Sequence, residues 1–307
     1  MLTVPAAFAA ATIAREGHPG EQWISRLPSL IDRLLGEWRL DLDGPLRHGY
    51  VALVVPVRRR GGPPAALKVG WIDEQTRYEG LALQWWAGQG AVAALDADPA
   101  RGALLLERLD PARSLEHLEE AEALTAAGTV LRRLHAATAP AAGFPAVADL
   151  ARRWATDLPR RWRDLGCPGN PDVVAAAVAV ARDLVVNPGP ERLVHGDFHY
   201  ANVLAGRRGW AAIDPKPLIG DPEFDLLPLL RNRWANVLST GAPEAAVRRR
   251  LAVLTDIAGL HGERAARWAR LRTLDDALWG LEHGDPVFTA IAWTIASALH
   301  PGVAPHL

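Results

Sequence analysis

The sequence predicts an α+β chain of two domains, an antiparallel sheet plus a helix followed by a mostly helical region, on three observations. Its 307 residues are about twice the usual domain length. Short apolar runs punctuated by Gly, Pro and Asp fill the first third. Beyond Asp110-Pro111 nearly all apolar positions recur at helical spacing. The boundary therefore falls at 109/110, giving domains over 1–109 and 110–307 with no long linker between them.

In chain order, Glu21 to Gly36 carries Trp23, Ile24, Leu27, Ile31 and Leu34 at helical spacing and reads as a leading helix, with Pro28 as a break. Trp38 to Asp43, Val51 to Val57 and Ala65 to Val69 read as an antiparallel meander turned at Gly44–Gly49 and at Gly61-Gly62-Pro63-Pro64. A helix over Asp73 to Trp86 follows, then strands near Ala91 to Leu95 and Ala103 to Arg108. Helices are predicted over Leu118 to His135, Ala148 to Leu165 and Asp172 to Val186. Two short apolar runs, Arg192 to Val194 and Trp210 to Ile213, interrupt them, and each runs directly into a histidine or an aspartate. Helices resume over Glu223 to Leu238, Glu244 to Leu260, Glu263 to His283 and Val287 to Leu299.

Composition narrows the function classes. A content of 49% hydrophobic and 22% charged residues is that of a globular chain. A net charge of -1 gives no global field for nucleic acid or anionic lipid, so neither partner is expected. The lone Cys167 excludes an internal disulfide, which fits a reducing cytoplasm. No apolar stretch reaches the roughly 18 residues a membrane span needs, and no basic residue precedes the apolar Ala6 to Ala14 as in a signal peptide. A cytoplasmic monomer is the expectation.

The chemistry concentrates in His195-Gly196-Asp197-Phe198-His199-Tyr200-Ala201-Asn202, with Asp214 closing the next pair of apolar strands. Phosphoryl transfer needs a carboxylate to accept the proton of the attacking hydroxyl and oxygen ligands for magnesium, and Asp197, Asn202 and Asp214 form such a set. Only two of the 34 basic residues are lysines, Lys68 and Lys216. Lys68 stands in an apolar strand, where an ammonium requires anionic partners; nucleotide phosphates and Glu79 are the candidates, against a lysine merely snorkelling at a strand edge. Lys216 either touches a phosphate or pairs with a carboxylate. His195 and His199 read as packing and hydrogen-bonding residues behind the loop. Asp197-Phe198-His199 also imitates the D-x-H of two-metal phosphoesterases, but the companion motifs are missing. Gly44 to Gly49 lacks G-x-G-x-x-G, and no P-loop is present. Ala242-Pro243-Glu244 and His283-Gly284-Asp285 read as helix ends.

With Ala66-Leu67-Lys68-Val69, Leu104 to Leu109, Asp214-Pro215-Lys216-Pro217 and Gly220 to Asp225, these segments resemble the aminoglycoside and hydroxyurea phosphotransferase family, within the protein-kinase-like superfamily. The resemblance implies a bilobal kinase-like fold that binds ATP between an N-terminal and a C-terminal lobe. It implies Lys68 on the phosphates, Glu79 holding Lys68, and backbone from Glu107 to Leu109 meeting the adenine. Asp197 would be the catalytic base, Asn202 and Asp214 the Mg2+ ligands, and Asp225 a buttress accepting backbone hydrogen bonds, with His195 in structural support. The activity implied is ATP- and Mg2+-dependent transfer of the γ-phosphoryl group to a small-molecule hydroxyl, streptomycin first, another aminoglycoside, hydroxyurea or a metabolite second; a nucleotide-binding pseudokinase is opposed by the intact set.

A cationic acceptor favours carboxylates around its reacting hydroxyl. Asp275, Trp279 and Glu282, at i, i+4 and i+7 with Asp276 adjacent, put two acids and an aromatic ring on one helix face, the alternative being a solvated polar face with Trp279 in the core.

Overall fold

The computed structural model describes residues 2–140 and 143–300, which divide into two compact units, 2–88 with 92–109 and 89–91 with 110–300. The first is built on a six-stranded antiparallel sheet. Helix α1 (Ala6–Glu37) leads into β1 (Leu40–Leu42), β2 (Arg47–His48), β3 (Ala52–Arg59) and β4 (Pro64–Gly70), then α2 (Glu79–Trp86), β5 (Ala94–Asp98) and β6 (Ala103–Glu107). The order across the sheet is β1-β3-β4-β6-β5, with β2 paired to β3. Period-2 alternation sets the faces: Leu53, Val55 and Val57 of β3 and Leu67 and Val69 of β4 meet Leu27, Ile31 and Leu34 of α1 in a fully buried core. Burying each such side chain contributes about 1.5–3 kcal/mol.

Three predicted elements differ here. The leading helix starts at Ala6 rather than Glu21, so the apolar N-terminal stretch is helical too; α1 passes through a kink at Gly17, where φ is +62, and both Pro19 and Pro28 lie inside it. The helix read over Asp73 to Trp86 begins only at Glu79. Asp73 Oδ1 accepts from the Gln75 and Thr76 amides, and Thr76 Oγ1 donates to the Trp71 carbonyl, so these polar side chains hold the backbone in turns. The strand placed near Ala91 to Leu95 lies at Ala94–Asp98, because 89–91 depart to the second unit, where Ala91 bridges Ala212.

The second unit is mostly helical. It comprises β7 (Asp110–Ser114), α3 (Glu120–Leu134), α4 (Val147–Asp164), α5 (Pro171–Val186), β8 (Arg192–Val194), β9 (Val203–Gly206), β10 (Gly209–Ala212), β11 (Leu218–Gly220), α6 (Leu227–Arg231), α7 (Trp234–Ser239), α8 (Pro243–Ala258), α9 (Gly262–Glu282) and α10 (Pro286–Ala298). Strands β10, β9 and β7 form one small sheet and β11 pairs with β8 in another. Val147, Leu158, Val174, Leu271, Leu274 and Leu278 of α4, α5 and α9 form the core beneath them. Pro243 begins α8 and Asp285 caps α10 through Oδ1 to the Phe288 amide, so both look-alike strings are helix ends. The single helix read over Glu223 to Leu238 is instead a 3-10 turn followed by α6 and α7, broken where Arg233 adopts φ +50. The break is used: Asn232 accepts the Tyr200 amide through Oδ1 and an Arg250 N–H through its carbonyl. Among the described residues no helix is long and apolar enough to cross a membrane.

Candidate active site

In the first unit, the single lysine of the sheet is placed by alternation. β4 sends Leu67 and Val69 into the core and Lys68 to the opposite face, where its Nζ lies 2.7 and 2.6 Å from the two carboxylate oxygens of Glu79. Both side chains are more than nine-tenths buried. Glu79 stands in the first turn of α2, where the helix dipole also favours its charge. At the far end of the same sheet Glu107 pairs by register with Ala65, exchanges backbone and side-chain hydrogen bonds with Ala93, and leads into half-buried Leu109. Arg108 turns back to donate to the Ala65, Asp43 and Val57 carbonyls, which fixes the direction of this exit.

In the second unit, the loop from His195 to Asn202 follows β8 and is held from below by Asp225. The Asp225 carboxylate has no exposed surface and accepts three hydrogen bonds: His195 N at 2.8 Å, Gly196 N at 2.7 Å and His135 Nε2 at 2.9 Å. Burial pushes the Asp225 carboxyl up, but the His135 hydrogen bond and charge, His195 and the backbone amide outweigh it and hold it below the ordinary range. His195 is buried as well, and burial is the main cause of its lowered pKa. Its Nε2 meets the Ile213 carbonyl at 3.0 Å while Nδ1 accepts the Asp197 amide at 3.3 Å, a pairing that requires the neutral ring protonated at Nε2.

The loop closes on itself: Asn202 Nδ2 donates to the Asp197 carbonyl at 3.0 Å. Two backbone bonds then bring the next aspartate to it. Ile213 N donates to the Asn202 carbonyl at 2.9 Å and Lys216 N to the His195 carbonyl at 2.8 Å, so the residues flanking Asp214 are tied to the two ends of the loop. Asp214 itself turns with φ +57, a left-handed conformation that Asp tolerates better than most side chains. Gly196 has φ +79, and a Cβ there would lie 2.1 Å from the Lys216 carbonyl oxygen; only glycine allows this approach. Asp197 meets Lys216 Nζ at 3.0 Å. Burial raises the Asp197 pKa, and opposing interactions led by the Lys216 charge and hydrogen bond outweigh it together, leaving it below the ordinary value.

These positions suit a hard cation. Asn202 uses its Nδ2 within the loop, which leaves an amide oxygen as the other end of the same group, and Asp214 offers carboxylate oxygens. No group of three or more His, Cys, Asp or Glu able to hold a metal occurs among the described residues. A magnesium ion is typically held by one or two protein oxygens with phosphates and water completing its shell, and an amide oxygen with a carboxylate is a donor set of that hard-oxygen kind.

The acidic face of α9 is not open. Arg161 of α4 forms a bidentate pair with Glu282 at 2.7 and 2.9 Å and reaches Asp275 at 2.5 Å. Asp276 pairs with Arg231 instead; burial raises its pKa against the pull of Arg231 and Arg272. Trp279 is 45% exposed rather than in the core, stacked on His283 at 4.2 Å. Thus Asp275 and Glu282 share one partner, and Asp276 belongs to another pair. Sequence reasoning missed His135, Asn232 and the arginines 161, 231 and 272. Their partners lie 90 positions away for His135, 32 for Asn232 and 121 for Arg161 with Glu282, with no local spacing to signal them.

Residues 37–284 match the model of the aminoglycoside/hydroxyurea antibiotic resistance kinase family. The chain is 38% identical to a streptomycin 6-kinase of Streptomyces glaucescens over 97% of each chain. It is 37% identical to a hydroxyurea phosphotransferase of Kitasatospora aureofaciens, covering 93% of this chain and 82% of that one. Among solved structures it is similar to a thermostable mutant of aminoglycoside phosphotransferase APH(4)-Ia, in ternary complex with AMP-PNP and hygromycin B, at TM-score 0.58 and 17% identity, over 88% of this chain and 97% of that chain.

Proposed function

The chain belongs to the aminoglycoside/hydroxyurea antibiotic resistance kinase family, with a protein-kinase-like fold and phosphotransfer to a hydroxyl group, and from that premise we propose that it moves the ATP γ-phosphoryl group to the 6-hydroxyl of streptomycin. The product would be an inactivated antibiotic, because added negative charge opposes a ligand that binds its nucleic-acid target through positive charge. The reading rests on the closed loop from His195 to Asn202, locked by Asp225 and flanked by Asp214.

In this reading Lys68, held by Glu79, takes the nucleotide phosphates in the first unit, with backbone from Glu107 to Leu109 toward the base. In the second unit Asn202 and Asp214 would hold Mg2+, which supplies charge neutralisation on the phosphates. Asp197 orients the acceptor hydroxyl and takes its proton as the oxygen bonds to phosphorus and the bond to ADP breaks; its lowered pKa keeps the carboxylate an ionised hydrogen-bond acceptor for that hydroxyl, so orientation is its first contribution and proton uptake follows as the oxygen loses basicity in the transfer. Asp225 and His195 keep the loop in place.

A second acceptor, hydroxyurea, is supported by the nearly equal identity to its phosphotransferase. The test is ADP release with Mg2+ and a panel of streptomycin, other aminoglycosides and hydroxyurea, with mass spectrometry for the gain of one phosphate. Phosphorylated streptomycin carries the first reading. A gain on hydroxyurea alone transfers it to the second, and nucleotide binding without turnover on any compound overturns both.

A further inference from the structure

Lys216 has a support that an ordinary surface lysine lacks. It lies between Pro215 and Pro217, both buried, which fix their own φ and restrict the residue before each. Its amide is bonded to the His195 carbonyl, and its carbonyl packs against Gly196 so closely that no side chain fits there. The backbone of Lys216 is thus fixed to the first two residues of the loop. Its side chain then crosses to the third, Asp197, with Nζ 3.0 Å from Oδ2. The backbone of Asp197 is held by His195 Nδ1 and by Asn202 Nδ2, but neither bond restrains rotation of the carboxylate. Among the described residues Lys216 is the side chain that does.

We propose that Lys216 is a positioning residue for Asp197: its ammonium holds Oδ2 and so turns Oδ1 of the same carboxylate toward the acceptor hydroxyl. This rests on the reading of Asp197 as the base. The choice of lysine has a physical reason in a chain whose other cations, Lys68 apart, are arginines. A compact ammonium with three rotatable donors grips one carboxylate oxygen, whereas the planar guanidinium favours a bidentate pair that engages both. Arginine at this position would occupy the oxygen the reaction needs.

The experiment compares Lys216→Met, Lys216→Arg, Asp197→Asn and the double variant Lys216→Met/Asp197→Asn, measuring ADP release with streptomycin and with water alone as acceptor, nucleotide affinity by calorimetry, and thermal melting. Lys216→Met is expected to lower kcat about 10- to 100-fold, since small misplacement of a reacting group has costs of that order. Nucleotide Kd and the KM for the acceptor should stay within about two-fold, and the melting temperature within about 2 °C, as for a half-exposed ion pair. Lys216→Arg should recover less than half of the loss. In the Asp197→Asn background, Lys216→Met should add nothing, because a residue that acts through another has no effect once that other is gone. A further ten-fold loss in that background, or a Lys216→Met enzyme with wild-type kcat, overturns the proposal. An Asp197→Asn enzyme of normal rate overturns instead the assignment of the base.

Discussion

Replacing Asp225 by alanine tests the platform on which the candidate site stands. The carboxylate is wholly buried and takes bonds of 2.7–2.9 Å from two backbone amides and from His135. Alanine would leave three donors without an acceptor, each costing about 1–3 kcal/mol, and water entering the vacated space would recover part of that. A net loss of about 3–6 kcal/mol follows, near the range for breaking a buried charge pair. For a unit of about 200 residues, each kcal/mol moves the melting temperature about 2–4 °C, so a drop on the order of 10 °C is expected. The local signature is sharper than the global one. Hydrogen exchange by mass spectrometry should show the His195 and Gly196 amides losing protection, and kcat should fall at least about 100-fold at temperatures where the protein remains folded, because Asp197 is carried by those two residues. A variant that melts within about 2 °C of the parent, with both amides still protected, would refute the claim that Asp225 holds the loop.

Asp214→Ala should abolish Mg2+-dependent ADP release, and Asp197→Ala should lower kcat by about 100- to 10,000-fold while calorimetry shows nucleotide binding retained; near-normal rates in both would remove the site assignment. Glu79→Gln should raise the KM for ATP and destabilise the first unit by about 2–4 kcal/mol, read by denaturant melts, since it strips the buried Lys68 ammonium of its carboxylate. His195 predicts a pH dependence. Burial lowers its pKa in the folded protein, so below the unfolded value of about 6.5 the unfolded chain binds more protons and stability falls as pH drops from 7 toward 5. Half-buried His199 adds a loss of the same sign. His195→Gln should flatten this slope in melts at pH 5, 6 and 7, and an unchanged slope would contradict it.

What the sequence revealed was what is local. The loop from His195 to Asn202 is one contiguous string, and its internal bonds, Asn202 to Asp197 and Asp197 to His195, span five residues or fewer. Lys68 stood out because a charge within an apolar strand demands a partner, and Glu79 is only 11 residues away. The helices of the second unit were legible for the same reason, since their apolar spacing is a local property. The failures occurred where a side chain serves a distant backbone or a competing local turn. Residues 73–78 have helical spacing, yet Asp73 and Thr76 commit their hydrogen bonds to turns. The segment from Glu223 to Leu238 breaks to deliver Asn232 to Tyr200, a need that exists only once the fold has formed.

The two sides of the second unit are held by different physics, and that difference separates what must stay fixed from what can vary. Beneath the loop, Asp225 is bonded to backbone amides with no exposed surface of its own, so a change there leaves buried donors without their acceptor. On α9 the partners are side chains. Arg161 joins Asp275 to Glu282 in a pair still about one-fifth to one-third exposed, and Trp279 stacks in solvent. Exposed ion pairs of this kind contribute about 0–1 kcal/mol each and can be exchanged without unfolding the protein. A fold that keeps its reacting loop on buried backbone bonds and its neighbouring acidic face on weak, partly solvated pairs can therefore change the face while the loop stays in register. Arg161→Ala separates the two: the melting temperature and the exchange protection of His195 and Gly196 should remain within error of the parent, while the acceptor KM shifts if the α9 face contacts the acceptor.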